Sequence, residues 1–310
     1  MHVNLFLVGA MKSATSSLHD LLISFPGVQG AERKEIYYFS KKTEWIRGDD
    51  YYHSHFSGAD DDARYYLDSS ASYLVCEDAI DRIRTYRDIN GPVKIIVCLR
   101  DPISRAISAI QYCRTLLNVE HRGVDQIIAP LLQAGSRSDL IALERAQLVR
   151  YRSVGAISPV WGESDCLTHP FAYFTSSMYS YWLEKWRSVF GDESIHLCLF
   201  EDVLAGSPIL INNLARFLDV EIGVDQSPVI RHMRQTAIYR SKLLQMVAHV
   251  GRPFVRKLPK SLRYGLQQNI LKSFKEKPVI SLNPGHLDML SDFFSEERGL
   301  LSQLKVSAAG

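Results

Sequence analysis

Lys12 follows Gly9 by three positions and is itself followed by Ser13, Ala14, Thr15, Ser16 and Ser17. An ammonium group among hydroxyl donors on a short turn of small residues suits an anion of the phosphate or sulfate type. The flanking pattern supplies the rest of such a site. Residues 3–9 (VNLFLVG) read as a buried strand. Ala14, Leu18, Leu21, Leu22 and Phe25 then recur at helical spacing until Pro26-Gly27 ends the helix. A strand that turns directly into a helix start presents backbone N–H groups and the positive end of a helix dipole. The loop is not a Walker A loop, which needs Gly immediately before the lysine, and no G-x-G-x-x-G occurs. A capped helix carrying a surface lysine is the plain structural alternative.

A second stretch repeats the arrangement. Residues 93–99 (VKIIVCL) form a continuous apolar run, as a central strand covered on both faces would. Arg100 follows at once, then Asp101 as a cap and Pro102 at the first helical position, opening a helix to about Leu117. Ser108 lies two turns along that helix from Arg100. Taken alone, Arg-Asp-Pro is equally a surface turn with an aspartate cap.

The elements that would position these residues follow from periodicity. Residues 194–199 are a third strand candidate, and helical patterns fill 76–88, 124–134, 138–151, 176–190, 208–218, 236–250 and 285–304. Strands alternating with helices predict an α/β fold with right-handed crossovers. Segment 41–75 is aromatic-rich and irregular, and segment 152–172 is turn-rich. In open α/β sheets, ligands bind beyond the carboxyl ends of the strands, where either segment could overhang a site.

Composition narrows the class. The 310 residues carry 36 Lys+Arg and 34 Asp+Glu, a net charge of +2, with 46% hydrophobic and 23% charged residues. That apolar share supports a sizeable core and excludes disorder for most of the chain. The charge balance argues against a general nucleic-acid or anionic-membrane binder, while leaving room for one local anion site. No stretch approaches the ~20 apolar residues of a membrane span. The apolar run Val3–Val8 has no basic region before it and is shorter than a signal-peptide core, so the chain is expected to be mature from Met1 and cytoplasmic. Cys76, Cys98, Cys113, Cys166 and Cys198 show no CxxC spacing and are expected to be reduced structural thiols. No His/Cys/Asp cluster has metal-ligand spacing, so no metal is expected.

The segment Gly9-Ala10-Met11-Lys12-Ser13-Ala14-Thr15-Ser16 resembles the 5′-phosphosulfate loop of sulfotransferases that use 3′-phosphoadenosine 5′-phosphosulfate (PAPS), roughly G-x-x-K-[ST]-[GA]-T-[ST]. Arg100-Asp101-Pro102-Ile103-Ser104-Arg105-Ala106-Ile107-Ser108 resembles the same family's 3′-phosphate motif, R-D-P-x-x-R-x-x-S. A 3′-phosphate is close to a dianion and calls for a fork-shaped, permanently charged donor such as Arg100, with Ser108 adding a hydroxyl. Lys34-Glu35-Ile36-Tyr37-Tyr38-Phe39 resembles the K-E-x-x-F/Y-F element of the heparan-sulfate-type and bacterial branch, in which the Glu is the proposed base.

The resemblance therefore implies a single α/β sulfotransferase domain over 1–310, P-loop-like and three-layered, with a central, mostly parallel sheet flanked by helices. Its PAPS-binding core would span about 3–220, followed by a helical part over about 221–310. Lys12, Ser13, Ala14, Thr15, Ser16, Ser17, Arg100 and Ser108 would bind the donor, and Lys12 and Glu35 would be catalytic. PAPS would be the donor, 3′-phosphoadenosine 5′-phosphate (PAP) the product, and a small molecule or carbohydrate the acceptor.

Alternatives stand beside these assignments. Glu35 reads equally as a strand-edge residue paired with Lys34 or Arg33, and His53 and His55 are alternative bases. Trp45, Gly48, Tyr51 or Tyr52, and Phe56 continue the likeness, as does Ser69-Ser70-Ala71-Ser72-Tyr73; Asp68 is assigned no charged role in acceptor binding. Tyr179, Leu183, Trp186 and Phe190, with Phe200-Glu201-Asp202 and Phe217-Leu218-Asp219, read as core and capping features. Beyond residue 220 no K-G-x-x-R loop occurs, and Arg231, Arg234 and Arg240 are the available substitutes or a solvated basic face. The rival functions are a nucleotide-dependent kinase on a P-loop-type scaffold and a non-catalytic binding module of the same fold.

Overall fold

In the computed structural model, residues 2–58, 63–117, 119–153, 171–221, 238–239, 275–276, 280 and 282–309 are described. The expected strands form: β1 (Leu5–Gly9), β4 (Lys94–Leu99) and β5 (Ile195–Leu199). Two short ones join them, β2 (Val28–Gly30) and β3 (Tyr65–Asp68). They make one sheet in the order β2-β3-β1-β4-β5, with every pairing parallel. The expected α/β class is borne out. The order reverses beside β1. The chain runs outward from β1 to β2 and returns to β3, then crosses over to β4. The carboxyl ends of β1 and β4, neighbours in register from Leu5 opposite Lys94, therefore open onto one crevice.

Side-chain alternation along the strands builds two cores. Phe6 and Val8 of β1, with Ile95 and Val97 of β4, face α4 (Glu77–Asn90), α5 (Pro102–Tyr112) and α8 (Tyr179–Phe190). Leu5, Leu7, Ile96 and Cys98 face the other way, onto α1 (Thr15–Leu22), α9 (Phe200–Ala205) and α10 (Pro208–Leu218). Leu18, Leu21 and Leu22 of α1 are fully buried there, as their spacing requires. The cap expected at Asp101 is present: its Oδ1 accepts the Ser104 N–H at 2.8 Å, with Pro102 in the first turn.

Several expectations are corrected. The irregular segment 41–75 contains α2 (Lys42–Trp45), α3 (Asp49–Ser54) and β3. The helix expected to reach Leu117 ends at Tyr112 and passes into a wider turn over Cys113–Leu117. Helices α6 (Val124–Gln133) and α7 (Arg137–Ser153) follow as expected. Within the helix expected over 236–250, Ile238–Tyr239 instead pair antiparallel with Lys275–Glu276. The helix expected over 285–304 is two helices, α11 (Pro284–Phe293) and α12 (Ser295–Ala309), broken at Phe294. Phe294 is fully buried, so the bend turns one more large side chain into the core. Of the thiols expected to be reduced, Cys98, Cys113 and Cys198 are free and buried, whereas Cys76 is disulfide-bonded. Cys166, Arg231, Arg234 and Arg240 lie outside the described residues.

Candidate active site

The loop after β1 is fastened to β4 and α5. Ala10 N–H donates to the Cys98 carbonyl at 2.8 Å, and Ser13 N–H to the Ala10 carbonyl at 3.1 Å. Arg100 Nη1 donates to the Lys12 carbonyl at 3.1 Å, and Arg105 Nη1 reaches the Met11 carbonyl at 3.4 Å. Arg105 is fully buried, its Nε on Ser177 Oγ at 2.5 Å and its Nη2 on the Tyr173 carbonyl. The two arginines thus hold consecutive carbonyls of the loop from across the crevice. Lys12 and Ala14 are held at φ 72° and 59°, a left-handed backbone that non-glycine residues seldom adopt.

The start of α1 is open to an anion. Ala14 provides no side-chain cap, and no acidic residue stands in the first turn. The first N–H groups of a helix have no partner inside it, and here they face a region of positive charge. Lys12 Nζ lies 4.4 Å from the ring centroid of Tyr112, at the end of α5. Burial, with repulsion from Arg100 and Arg105, lowers the Lys12 ammonium to about 8. Cations that repel one another beside an uncapped helix start fit a polyanion. Arg100 packs 4.3 Å from the Phe200 ring centroid, and the Tyr179 hydroxyl donates to its carbonyl at 2.8 Å. Ser108 is half-buried on α5, one turn before Tyr112 on the same face. Ser13 is fully buried, Thr15 and Ser17 nearly so, and Ser16 is exposed.

Glu35 approaches from the other side. Its segment is irregular, not a strand edge, with Glu35 at φ 67° and Tyr37 at φ 62°. Among the described residues only six non-glycines have positive φ, and Lys12, Ala14, Glu35 and Tyr37 are four of them, so backbone strain concentrates here. Glu35 N–H donates to the Ser69 carbonyl at 3.3 Å, and Tyr37 N–H to Ser70 Oγ at 3.2 Å. Ser70 Oγ in turn donates to Asp68 Oδ1 at 2.7 Å. Asp68 is fully buried and also accepts the hydroxyls of Tyr52 and Tyr73 at 3.0 and 2.8 Å. It anchors the segment and is turned away from solvent.

Burial raises the Glu35 carboxyl above the ordinary range. Lys34, the Ala71 N–H and the Tyr37 hydroxyl partly offset that by favouring the charged form. Lys34 Nζ is 3.7 Å from Glu35 Oε1, so the structurally expected pair does exist. The same ammonium donates to Ser16 Oγ at 3.1 Å and reaches Thr15 Oγ1 at 3.5 Å. His19 Nδ1 meets Ser69 Oγ at 2.8 Å, a further tie between α1 and this segment. Lys34 and His19 therefore tie the Glu35 segment to α1, and Arg100 ties the loop to the end of β4.

The alternative bases have other partners. His53 Nε2 meets the Tyr86 hydroxyl at 2.9 Å, and that hydroxyl accepts the Val3 N–H at 3.1 Å. Val3 precedes β1, at the end of the strand away from the loop. The His55 ring packs against Tyr51, 4.8 Å between centroids. Sequence reasoning gave Arg105 no role beyond its place in the motif and Asp68 none, did not single out Tyr112, and took Lys34 only as a partner for Glu35. The i, i+4 spacing of Ser108 and Tyr112 and the arginine four residues after Asp101 were the available signals. Among the described residues no group of three or more His, Cys, Asp or Glu side chains converges as a metal site would.

No protein-family model matches the chain. The chain is similar to the membrane-associated sulfotransferase kil1 of Dictyostelium discoideum, with 22% identity over 70% of this chain and 56% of the relative. It thus spans little more than half that relative's length. The crystal structure of a sulfotransferase from Alicyclobacillus acidocaldarius superposes with a TM-score of 0.53 and 22% identity, over 85% of this chain and 96% of the other. Mouse sulfotransferase SULT7A1 complexed with PAP gives a TM-score of 0.44 and 12% identity, over 96% and 85% of the two chains. The resemblance to sulfotransferases read from the sequence is matched by a sulfotransferase relative and by a shared fold.

Proposed function

We propose that this chain, which has the fold of sulfotransferases, transfers a sulfuryl group from PAPS to a hydroxyl or amine of a small-molecule or carbohydrate acceptor. One observation carries the reading. A cation-rich loop on an uncapped helix start is joined to a half-buried carboxylate through Lys34, whose ammonium lies 3.1 Å from Ser16 Oγ and 3.7 Å from Glu35 Oε1. Bound, PAPS supplies the electrophilic sulfuryl group and leaves as PAP. The N–H groups of Ala14 to Ser17 and the hydroxyls of Ser13, Thr15, Ser16 and Ser17 hold the 5′ end of the donor. Lys12 places its charge where negative charge builds on the bridging oxygen, the preorganised electrostatic help that is commonly the largest catalytic contribution. Arg100 offers its fork to the 3′-phosphate, with Ser108 beside it. Glu35 takes the acceptor's proton. A carboxyl raised by burial is a stronger base than an exposed one, and such help is worth about 10²–10⁴ in rate.

The test is thermal stabilisation of the full chain by PAP, PAPS, and ATP with and without Mg²⁺. A ligand at a hundred times its Kd should add about 2.7 kcal/mol, or roughly 4 °C. Shifts with PAP and PAPS alone are expected. A shift confined to ATP with Mg²⁺ would overturn the reading in favour of a kinase, and no shift with any of them would leave a non-catalytic module.

A further inference from the structure

β4 and β5 pair in parallel and stay in register to their last residues, Cys98 opposite Cys198 and Leu99 opposite Leu199. The residues that follow, Arg100 and Phe200, therefore leave the sheet side by side at its carboxyl edge. Phe200 opens α9, and its half-buried ring packs against the core that Leu5, Leu7 and Leu18 share. Arg100 Cζ lies 4.3 Å from the centroid of that ring. A half-buried cation is ordinarily held by a carboxylate. Among the described residues Arg100 makes no ion pair; it donates to the Lys12 carbonyl at 3.1 Å and rests on the ring.

Resting on the sulfotransferase reading, we infer that Phe200 is a positioning residue that sets the preference for a donor carrying a 3′-phosphate, by holding the Arg100 guanidinium in place with its charge unneutralised. A carboxylate beside Arg100 would fix it as firmly, but would cancel its charge and occupy its donors. An aromatic face attracts the cation through the ring quadrupole and accepts none of its five N–H groups. The charge therefore stays available to an incoming dianion. Order matters as much as charge. An arginine has many rotamers, and fixing one at the moment of binding subtracts from affinity. A ring held by the core on one side, with the Lys12 carbonyl on the other, does that fixing before the donor arrives. The pattern around Phe200 reads from sequence as core and capping. Packing accounts for the inner edge of the ring, and the arginine on its face is what that pattern does not contain.

PAPS and adenosine 5′-phosphosulfate differ by the 3′-phosphate alone, so the ratio of their affinities cancels any general loosening of the loop. Calorimetric titration of the full chain with both provides the test, in wild type, Phe200→Leu, Phe200→Tyr, Arg100→Ala and the variant carrying Phe200→Leu with Arg100→Ala. Wild type should prefer PAPS. Phe200→Leu keeps an apolar side chain but removes the ring, and should lower that preference about fivefold or more. Phe200→Tyr keeps the ring face and should retain most of it. Without Arg100 the ring has nothing to hold, so Phe200→Leu should leave the ratio unchanged in the Arg100→Ala background. A ratio unmoved in Phe200→Leu, or lowered equally with and without Arg100, overturns the inference and leaves the sulfotransferase reading intact. Loss of the preference in Phe200→Tyr overturns it as well, a result that does not depend on the leucine variant folding. Wild type that binds neither nucleotide, or both equally, overturns the reading of the donor site along with it.

Discussion

Lys12 and Glu35 are displaced in opposite directions by the same burial. The ammonium is brought down to about 8, and the carboxyl is raised above the ordinary carboxylate range. Each displacement disfavours the charged form, and the proposed roles need both groups charged. kcat/KM, which reports the free enzyme, should therefore rise with pH as Glu35 loses its proton and fall again near pH 8 as Lys12 loses its own. The bound polyanion raises the Lys12 pKa, so donor affinity is at its full value below about pH 8 and is lost between there and the higher pKa of the complex. The alkaline limb of kcat should accordingly lie above that of kcat/KM. A pH–rate profile of wild type and Glu35→Gln checks this, and an acid limb that survives in the variant would take the base role from Glu35. The loop residues were legible because Lys12 to Ser17 are contiguous and their types state the chemistry. The structural roles of Arg105 and Asp68 were not. Arg105 reaches the carbonyl of Met11, 94 residues away, and Asp68 acts through Ser70 on the backbone of Tyr37, contacts that no local pattern encodes.

At the scale of elements, the strands that could be read were the long apolar ones buried on both faces. β2 and β3 have three and four residues and lie among aromatic side chains, too short for periodicity to declare them. The turn out of β1 depends on a close approach that the sequence shows only as a glycine. A Cβ on Gly9 would stand 2.7 Å from Leu74 Cβ and 3.3 Å from the Ala71 carbonyl oxygen. Neither is the free end of a flexible chain, so Gly9→Ala must push β1 and the 71–74 turn apart. Overpacking of this kind costs about 1–3 kcal/mol. Chemical denaturation should show that loss, together with weaker PAP binding, because the same turn supplies the Ala71 N–H to Glu35. Undiminished stability would mean that the turn yields freely. The C-terminal break at Phe294 was invisible for the opposite reason: the helical pattern continues straight through it, and only tertiary burial of the ring decides the bend.

For the whole molecule, the sheet order puts both of the turns proposed to bind the donor at the one place where the connections diverge. The alternation of strands and helices made the class legible, but not the order in which the strands pair. The state of Cys76 was likewise not readable, since cysteine spacing alone does not give connectivity. Its disulfide sits at the start of α4, where Cys76 Sγ also accepts the Ala79 N–H at 3.4 Å. Disulfides persist chiefly in oxidising compartments, which pulls against the cytoplasmic placement expected from the sequence. Losing one typically costs about 2–4 kcal/mol. Reductant should therefore lower the melting temperature of wild type by several degrees and leave Cys76→Ala unmoved. A wild type indifferent to reductant would mean that the bond contributes nothing to stability.

The contact between Arg100 and the Lys12 carbonyl has an evolutionary consequence. On the proposed reading, one guanidinium is asked both to recognise the far end of the donor and to keep the near-end loop in shape. Drift at position 100 is thus opposed from two directions at once. A lineage moving toward a donor without the 3′-phosphate would gain nothing from discarding this arginine, because the loop would lose its brace in the same step. Neutral exploration of new donors is open instead at Ser108, whose side chain the loop does not share, and that is where divergence among descendants of this chain should accumulate first.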